Sequence, residues 1–366
     1  MGLFGQKTKS VVGIDVSGSS VKAVELRGVS GRPQLVTYGF VDQTTEIVKS
    51  DAASAQVEAV RLIREVIKRA RIVTTKAVAA LPSFSVFSSV ISLPEMSKKD
   101  LVSAVRWEAK KFVPMPLEEM ILDWEVVEDR IKKKPISEQK SEESKEPAPV
   151  THRKDIRILL TAAPKALVER YVTIFKQSEL QLVGLETEAF ALERSLVGND
   201  PSPVMVVDIG SRVTSIMIFQ ESIPVLTRSI DMGGESITET IMKALNVDAS
   251  RAEQFKRDFG LSMGQGSNEK IPKTIEFVTN SIINEIRYVL NIFRSQSEKP
   301  LDKIILSGGS AFLVSLPEYV SKVFQVKVFI GDPWARVSYP VDLKSVLQEI
   351  GPRLSVSIGL AMRDIV

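Results

Sequence analysis

At 366 residues the chain is longer than the size at which one hydrophobic core stops growing, so two domains are expected. A net charge of +3, from 48 basic and 45 acidic residues, gives no support to a nucleic-acid or lipid-binding surface. The absence of cysteine excludes disulfides, thiolate nucleophiles and cysteine zinc sites, and suits a reducing compartment.

In chain order, residues 1–10 lack the apolar core of a signal peptide and read as a frayed end. The β-branched run from Val11 delivers Asp15 into Ser17, Gly18, Ser19 and Ser20, then resumes as a strand through Val21 and Lys22, the pattern of a β-hairpin with a bare tip. Residues 35–41 form a strand, Val57, Val60, Ile63 and Ile67 mark the inward face of a helix, and 77–81 return as a buried strand. The long uncharged run 77–94 is interrupted by Pro82, Pro94 and five serines. It fits two short strands joined at Pro82 better than a membrane span, so no direct membrane insertion is expected.

Ser97 to Asp100 resembles a capping box, and the helix it starts turns Leu101, Val102, Val105, Ala109 and Phe112 inward until Pro114 and Pro116 stop it. Residues 121–128 alternate as a strand. Segment 131–154 has hardly an apolar side chain and is expected to be a mobile, disordered loop. With the strand 156–161 it completes an inserted lobe spanning about 82–160. A helix from Pro164 buries Leu167, Val168, Tyr171, Ile174 and Phe175, and a second is expected over 186–196. The stiff connector 199–203 places the domain boundary there, giving domains 1–200 and 201–366. A second hairpin follows, delivering Asp208 towards Gly210, Ser211 and Arg212. The second domain continues with a strand over 224–230, the turn Gly233-Gly234, helices over 235–245 and 249–258, and a long helix with Ile275, Val278, Ile282, Ile286, Val289 and Phe293 inward. A strand over 301–306 ends in Ser307-Gly308-Gly309-Ser310, and another covers 326–330. This alternation argues for an α/β fold.

A single Asp-x-Gly between strands is usually only a tight turn. Its duplication suggests more: two facing tips of small residues let backbone N–H groups approach a polyphosphate, while the carboxylates hold a divalent metal through water. Other signals are blander. His152 is the only histidine and leaves no histidine triad or zinc cluster to build. Gly264-Gln265-Gly266-Ser267 lacks the following Gly-Lys-Ser/Thr of a P-loop. Trp107 is either core or an anchor at a partner groove, Trp334 is expected under a loop, and Arg212 either reaches a phosphate or faces solvent.

The duplicated hairpins, Gly308-Gly309-Ser310 and Gly359-Leu360-Ala361 together resemble the actin, Hsp70 and sugar-kinase superfamily, with its ribonuclease H-like duplicated fold. Within it, residues 105–119, with Leu122-Asp123-Trp124 beyond, resemble the PilM family of type IV pilus assembly proteins, relatives of the cell-division protein FtsA. The resemblance implies two lobes around an ATP cleft, the inserted subdomain on the first, and a last helix over about 353–366 that returns to the first domain. It implies ATP and magnesium as cofactors, with Asp15 and Asp208 holding magnesium through water. Ser17 to Ser20 would cradle the phosphates, and Lys22, seven residues after Asp15, would contact them. Gly210 would complete the second tip. Gly308, Gly309 and Ser310 would lie beside the adenosine, with Glu253 and Lys256 touching ribose and adenine. Glu188 occupies the place of a water-orienting carboxylate. The family usually has Asp-x-Gly in the first hairpin, so Ser17 is a departure that could weaken nucleotide handling. The implied partner is the N-terminal cytoplasmic tail of PilN, contacted through Trp107, Phe112 and Pro114, with the protein itself cytoplasmic at the inner membrane. An FtsA-like self-polymerising protein and a small-molecule kinase are the rival functions.

Overall fold

The computed structural model describes residues 10–43, 52–127, 155–262 and 270–365. The expected mobile loop 131–154 with its His152, the 264–267 loop and residues 1–9 lie outside the described residues.

The first half opens with β1 (Ser10–Val16), β2 (Ser20–Val29) and β3 (Arg32–Asp42), an antiparallel meander in which Asp15 stands opposite Lys22. After α1 (Ala53–Ala70), β4 (Lys76–Leu81) pairs parallel to β1. The inserted lobe follows: β5 (Phe87–Pro94), α2 (Lys98–Phe112), β6 (Met120–Val126) and β7 (Asp155–Pro164), whose strands form a three-stranded sheet in the order β5-β7-β6. Then come α3 (Lys165–Gln177), β8 (Gln181–Thr187) and the short α4 (Glu188–Leu192), which continues as one π-helical turn, Glu193–Val197. The second half repeats the opening with β9 (Val204–Ile209), β10 (Thr214–Gln220) and β11 (Ile223–Ile230). It continues through α5 (Gly234–Leu245), α6 (Ala249–Phe259), α7 (Lys270–Gln296), β12 (Lys303–Ser307), α8 (Leu316–Phe324) and β13 (Lys327–Ile330), and ends with α9 (Lys344–Met362).

The two five-stranded sheets have the orders β3-β2-β1-β4-β8 and β11-β10-β9-β12-β13, one topology used twice. In each, a hairpin supplies three antiparallel strands and helical crossovers supply two parallel ones, because only a crossover can return the chain parallel to its start. The outer faces are covered by α1 and α3 in the first half and by α5 and α7 in the second. Between the sheets lies a shared layer. Val11 and Val78 of the first sheet and Val206, Phe219 and Ile305 of the second pack with Ala191, Val356 and Leu360 of α4 and α9. A Cβ at Gly13 would collide with the Ser357 carbonyl, so glycine lets α9 lie directly on β1.

Helix faces agree with the apolar spacing where the helix is long. All six inward positions expected for α7 are buried. In α1 the buried face is Ala59, Leu62, Ile63, Val66 and Ala70, while Val57 is 66% exposed. The face is rotated because small residues make the close contact: Ala70 packs where β3 presents Gly39. In α2, Leu101, Val105 and Ala109 are buried, but Val102 and Phe112 are exposed. Ser97 caps the helix, its hydroxyl accepting from the Asp100 amide at 3.3 Å, but the Asp100 carboxylate accepts from that same hydroxyl at 2.7 Å rather than from the Ser97 amide, so only half of the expected capping box forms.

Two further expectations differ from the structure. Where one helix was expected over 186–196, β8 runs to Thr187 and the helix begins at Glu188. That strand lies at the sheet edge with only Thr187 fully buried, which removes the continuous apolar run by which a parallel strand is recognised. The last helix begins well before Pro352 and carries that proline in its interior. The tertiary setting uses the proline carbonyl, which accepts from Ser307 Oγ at 3.1 Å and from the Gly308 amide at 3.0 Å. Trp334 is buried against this helix, its indole donating to the Leu347 carbonyl at 2.8 Å. No described helix is long and apolar enough to cross a membrane.

Candidate functional site

β1 and β9 each carry an aspartate to the same end of their sheet. At the first tip the Ser17 amide and hydroxyl both donate to the Ser20 carbonyl at 3.0 Å, closing the turn. Neither Ser17 nor Gly18 is in the left-handed region, so the backbone places no demand for glycine at 17. The Ser17 hydroxyl thus helps to close the turn. Lys22 is not a solvated strand lysine: its side chain is only 13% exposed, with Nζ 2.7 Å from Asp15 Oδ2 and 3.5 Å from Ser17 Oγ.

At the second tip the Gly210 amide donates to the Val213 carbonyl at 3.0 Å, and Asp208 stands opposite Ser215. Arg212 is exposed and pairs with Glu235 through Nε at 2.7 Å. Its Cδ lies 3.7 Å from where a Cβ on Gly18 would stand, so the second tip reaches across to the first.

A third loop joins them. Gly308, at φ +84°, packs its backbone against Ile209, and the Ser310 amide donates to the Ile209 carbonyl at 3.1 Å. A residue with a side chain would be strained there. Gly309 has open space where a side chain would be. The Ser310 hydroxyl lies against Gly234 at the start of α5, and Lys256 arrives there from α6, donating to the Gly234 carbonyl at 3.1 Å and Thr238 Oγ1 at 2.9 Å. Glu253 Oε2 lies 2.6 Å from Lys256 Nζ. Burial pushes the Glu253 carboxyl up, but Lys256 holds it below the usual range. The family pattern named Glu253 and Lys256; it did not name Gly234 or Thr238, which only the packing of α5 on α6 brings to them.

Electrostatics tie Asp15, Asp208 and Glu188 to one crevice. Burial, then the charges of Asp15 and Asp208, push the Glu188 carboxyl up to about 7, against two hydrogen bonds from Ser83. Burial and the charge of Asp15 push Asp208 up to about 6, against the charge of Lys22 and a hydrogen bond from Ser307. The Tyr171 hydroxyl, buried without a partner, is raised by burial and by the charges of Asp15 and Glu188. Three carboxylates from β1, β9 and α4 thus act on one another with Lys22 paired to the first. Among the described residues no group of three or more histidine, aspartate or glutamate side chains is placed to hold a metal by protein ligands alone. A shallow, solvent-open pocket of about 300 Å³ lined by Ile67, Val73, Ser178 and Leu180 lies at the far end of the first sheet and has no part in this crevice.

Trp107, Phe112 and Pro114 lie elsewhere, on the inserted lobe. Trp107 is 62% exposed and so is not core; Phe112 is 45% exposed, and Pro114 is exposed. Met115 and Ile121, also exposed, continue this apolar surface towards β6, which among the described residues pairs only with β7 and forms the sheet edge.

Twin five-stranded sheets, a joining helical layer and acid-bearing hairpins meeting at one crevice define an actin-like ATPase fold. The same fold is found in MreB5 of Spiroplasma citri bound to AMPPNP, at 14% identity and a TM-score of 0.53 over 97% of this chain and 95% of that one. The chain belongs to the type IV pilus assembly protein PilM family, whose model matches residues 13–142 and 143–365. It is similar to the PilM-PilN type IV pilus biogenesis complex at 26% identity and a TM-score of 0.79, covering 97% of this chain and 98% of that one. It is also 27% identical to the cell division protein FtsA of Agrobacterium fabrum over 176 residues, 42% of this chain; the alignment spans 38% of that relative's length.

Proposed function

We propose that the protein is an ATP-binding scaffold of a type IV pilus assembly complex that grips an extended N-terminal segment of PilN on its inserted lobe, at the cytoplasmic face of the inner membrane. The observation that carries the partner assignment is the membership in the PilM family, joined to β6, which among the described residues is the edge of its sheet and is flanked by exposed apolar side chains. An extended peptide added to such an edge gains main-chain hydrogen bonds along the strand and pockets for alternate side chains. Phe112 and Pro114 lead into β6 and supply that apolar contact, and Trp107 adds a large aromatic anchor of the kind that dominates interface energetics.

The nucleotide reading rests on the crevice. Asp15 and Asp208 repel each other in a buried setting, a donor set that suits a divalent cation held through water. Bound there, magnesium would neutralise phosphate charge and draw the two tips together. The turn Ser17, Gly18, Ser19, Ser20 and Gly210 present backbone to the phosphates, with Lys22 in reach. Gly308, the open Gly309 and Ser310 leave room for the nucleoside beside Glu253 and Lys256. Glu188 is the candidate for orienting water, and we read the protein as a nucleotide-binding assembly protein that is at most a weak ATPase.

The test is a binding assay of the full chain against an N-terminal PilN peptide, with and without ATP and magnesium. Saturable binding that weakens about tenfold in Phe112→Ala supports the reading, the size expected from truncating one apolar anchor. Absence of binding under both conditions removes the partner assignment. Equal affinity with and without ATP uncouples the two sites.

A further inference from the structure

Ser83 opens the 3-10 turn Ser83–Ser85, the first turn of the inserted lobe. Pro82 precedes it with φ fixed at −59°, and Ser85 closes the turn by donating to the Pro82 carbonyl from its amide at 3.0 Å and its hydroxyl at 2.7 Å. The Ser83 amide is therefore an orphan donor at the start of a helical turn. It donates to Glu188 Oε2 at 3.1 Å, and the Ser83 hydroxyl donates to the same oxygen at 2.8 Å. Oε1 of Glu188 accepts no hydrogen bond from any described residue.

We infer that Ser83 is the positioning residue of Glu188: it fixes one carboxylate oxygen with two donors and leaves the other free to orient water in the crevice. This rests on the nucleotide reading above. Two hydrogen bonds to one oxygen define where the carboxylate sits and how it is rotated, whereas a single donor would leave it free to swing. A charge-assisted hydrogen bond also favours the ionised form, the form that accepts a proton from water. The groups that act on Glu188 from the other elements are Asp15 on β1 and Asp208 on β9, both of which oppose its ionisation, and Tyr171 on α3, whose raised hydroxyl feels its charge. Ser83, at the mouth of the inserted lobe, offsets those charges.

The full chain and the variants Ser83→Ala, Ser83→Thr, Glu188→Gln and the double Ser83→Ala/Glu188→Gln are compared in three measurements: phosphate release, titration with a fluorescent ATP analogue, and melting temperature without nucleotide from about pH 5 to about pH 8. Ser83→Ala is expected to lower kcat about tenfold, the worth of one charge-assisted hydrogen bond, with KM and analogue affinity within about twofold. Ser83→Thr, which keeps the hydroxyl, should restore most of it. In nucleotide-free protein the Glu188 carboxyl is raised from 4.5 to about 7 on folding. The stability it contributes is therefore full below about pH 4.5 and lost as pH rises through about 7. Removing the Ser83 hydroxyl raises it further, so Ser83→Ala should enlarge the fall in melting temperature between about pH 5 and about pH 8. That enlargement should vanish in the Glu188→Gln background. Wild-type kcat in Ser83→Ala, or the same loss in both backgrounds, overturns the inference. If the wild-type chain binds no ATP analogue, the nucleotide reading fails, and the melting series alone decides whether Ser83 holds Glu188.

Discussion

Opposite Asp15 in the first hairpin stands Lys22, whereas opposite Asp208 in the second stands Ser215. Backbone pairing around the two aspartates is the same, so the two tips differ in the side chain that stands opposite the acid. Asp15 lies 2.7 Å from an ammonium. Asp208 has only a hydroxyl in register and is pushed up to about 6 by burial and by its counterpart. Duplication of a fold copies the geometry of a site and leaves its electrostatics to single residues. In this protein one tip is a neutralised pair and the other a carboxylate in want of a cation.

The comparison breaks most visibly if Asp15 is lost. Asp15→Ala leaves Lys22 buried without its partner, and truncating one member of a buried pair costs about 3 kcal/mol or more. Affinity for a fluorescent ATP analogue with magnesium should fall about 100-fold, because the carboxylate that holds the cation is lost; at 1.4 kcal/mol per tenfold this is about 2.8 kcal/mol of binding. An unchanged affinity would remove the first tip from the site. Lys22→Met should be milder, about tenfold in the same titration, because it removes one phosphate contact and leaves the Asp15 carboxylate in place.

Asp208→Asn tests the second tip through stability. Its folded pKa is raised from 3.8 to about 6, so its contribution to stability is full below about pH 3.8 and lost as pH rises through about 6. The asparagine variant should melt a few degrees above wild type near pH 8, on the order of a 1 kcal/mol gain, and the gap should close towards pH 4. A melting temperature below wild type at both ends would show that no charge is relieved. The smallest effect is expected from Ser17→Gly: the Ser17 hydroxyl is committed to the Ser20 carbonyl and the backbone needs no glycine, so analogue affinity should stay within about twofold, a shift of under 0.5 kcal/mol. A tenfold gain would mean that the serine side chain does obstruct the phosphates.

Sequence by itself determined the layered α/β order, both hairpins with their aspartates, the inward face of α7 and the family. Strand alternation and long helical periodicity are local patterns, and a duplicated motif can be recognised without knowing where its copies meet. The tertiary structure alone decided that Arg212 lies beside Gly18, that Pro352 sits inside a helix and gives its carbonyl to Ser307 and Gly308, and that Glu188 begins a helix after β8. It also decided that Ser83 holds Glu188 from more than a hundred residues away. No spacing rule reaches that far, since such contacts are fixed by how sheets, helices and an inserted lobe pack, and a carboxylate's charge state follows from what packing places around it.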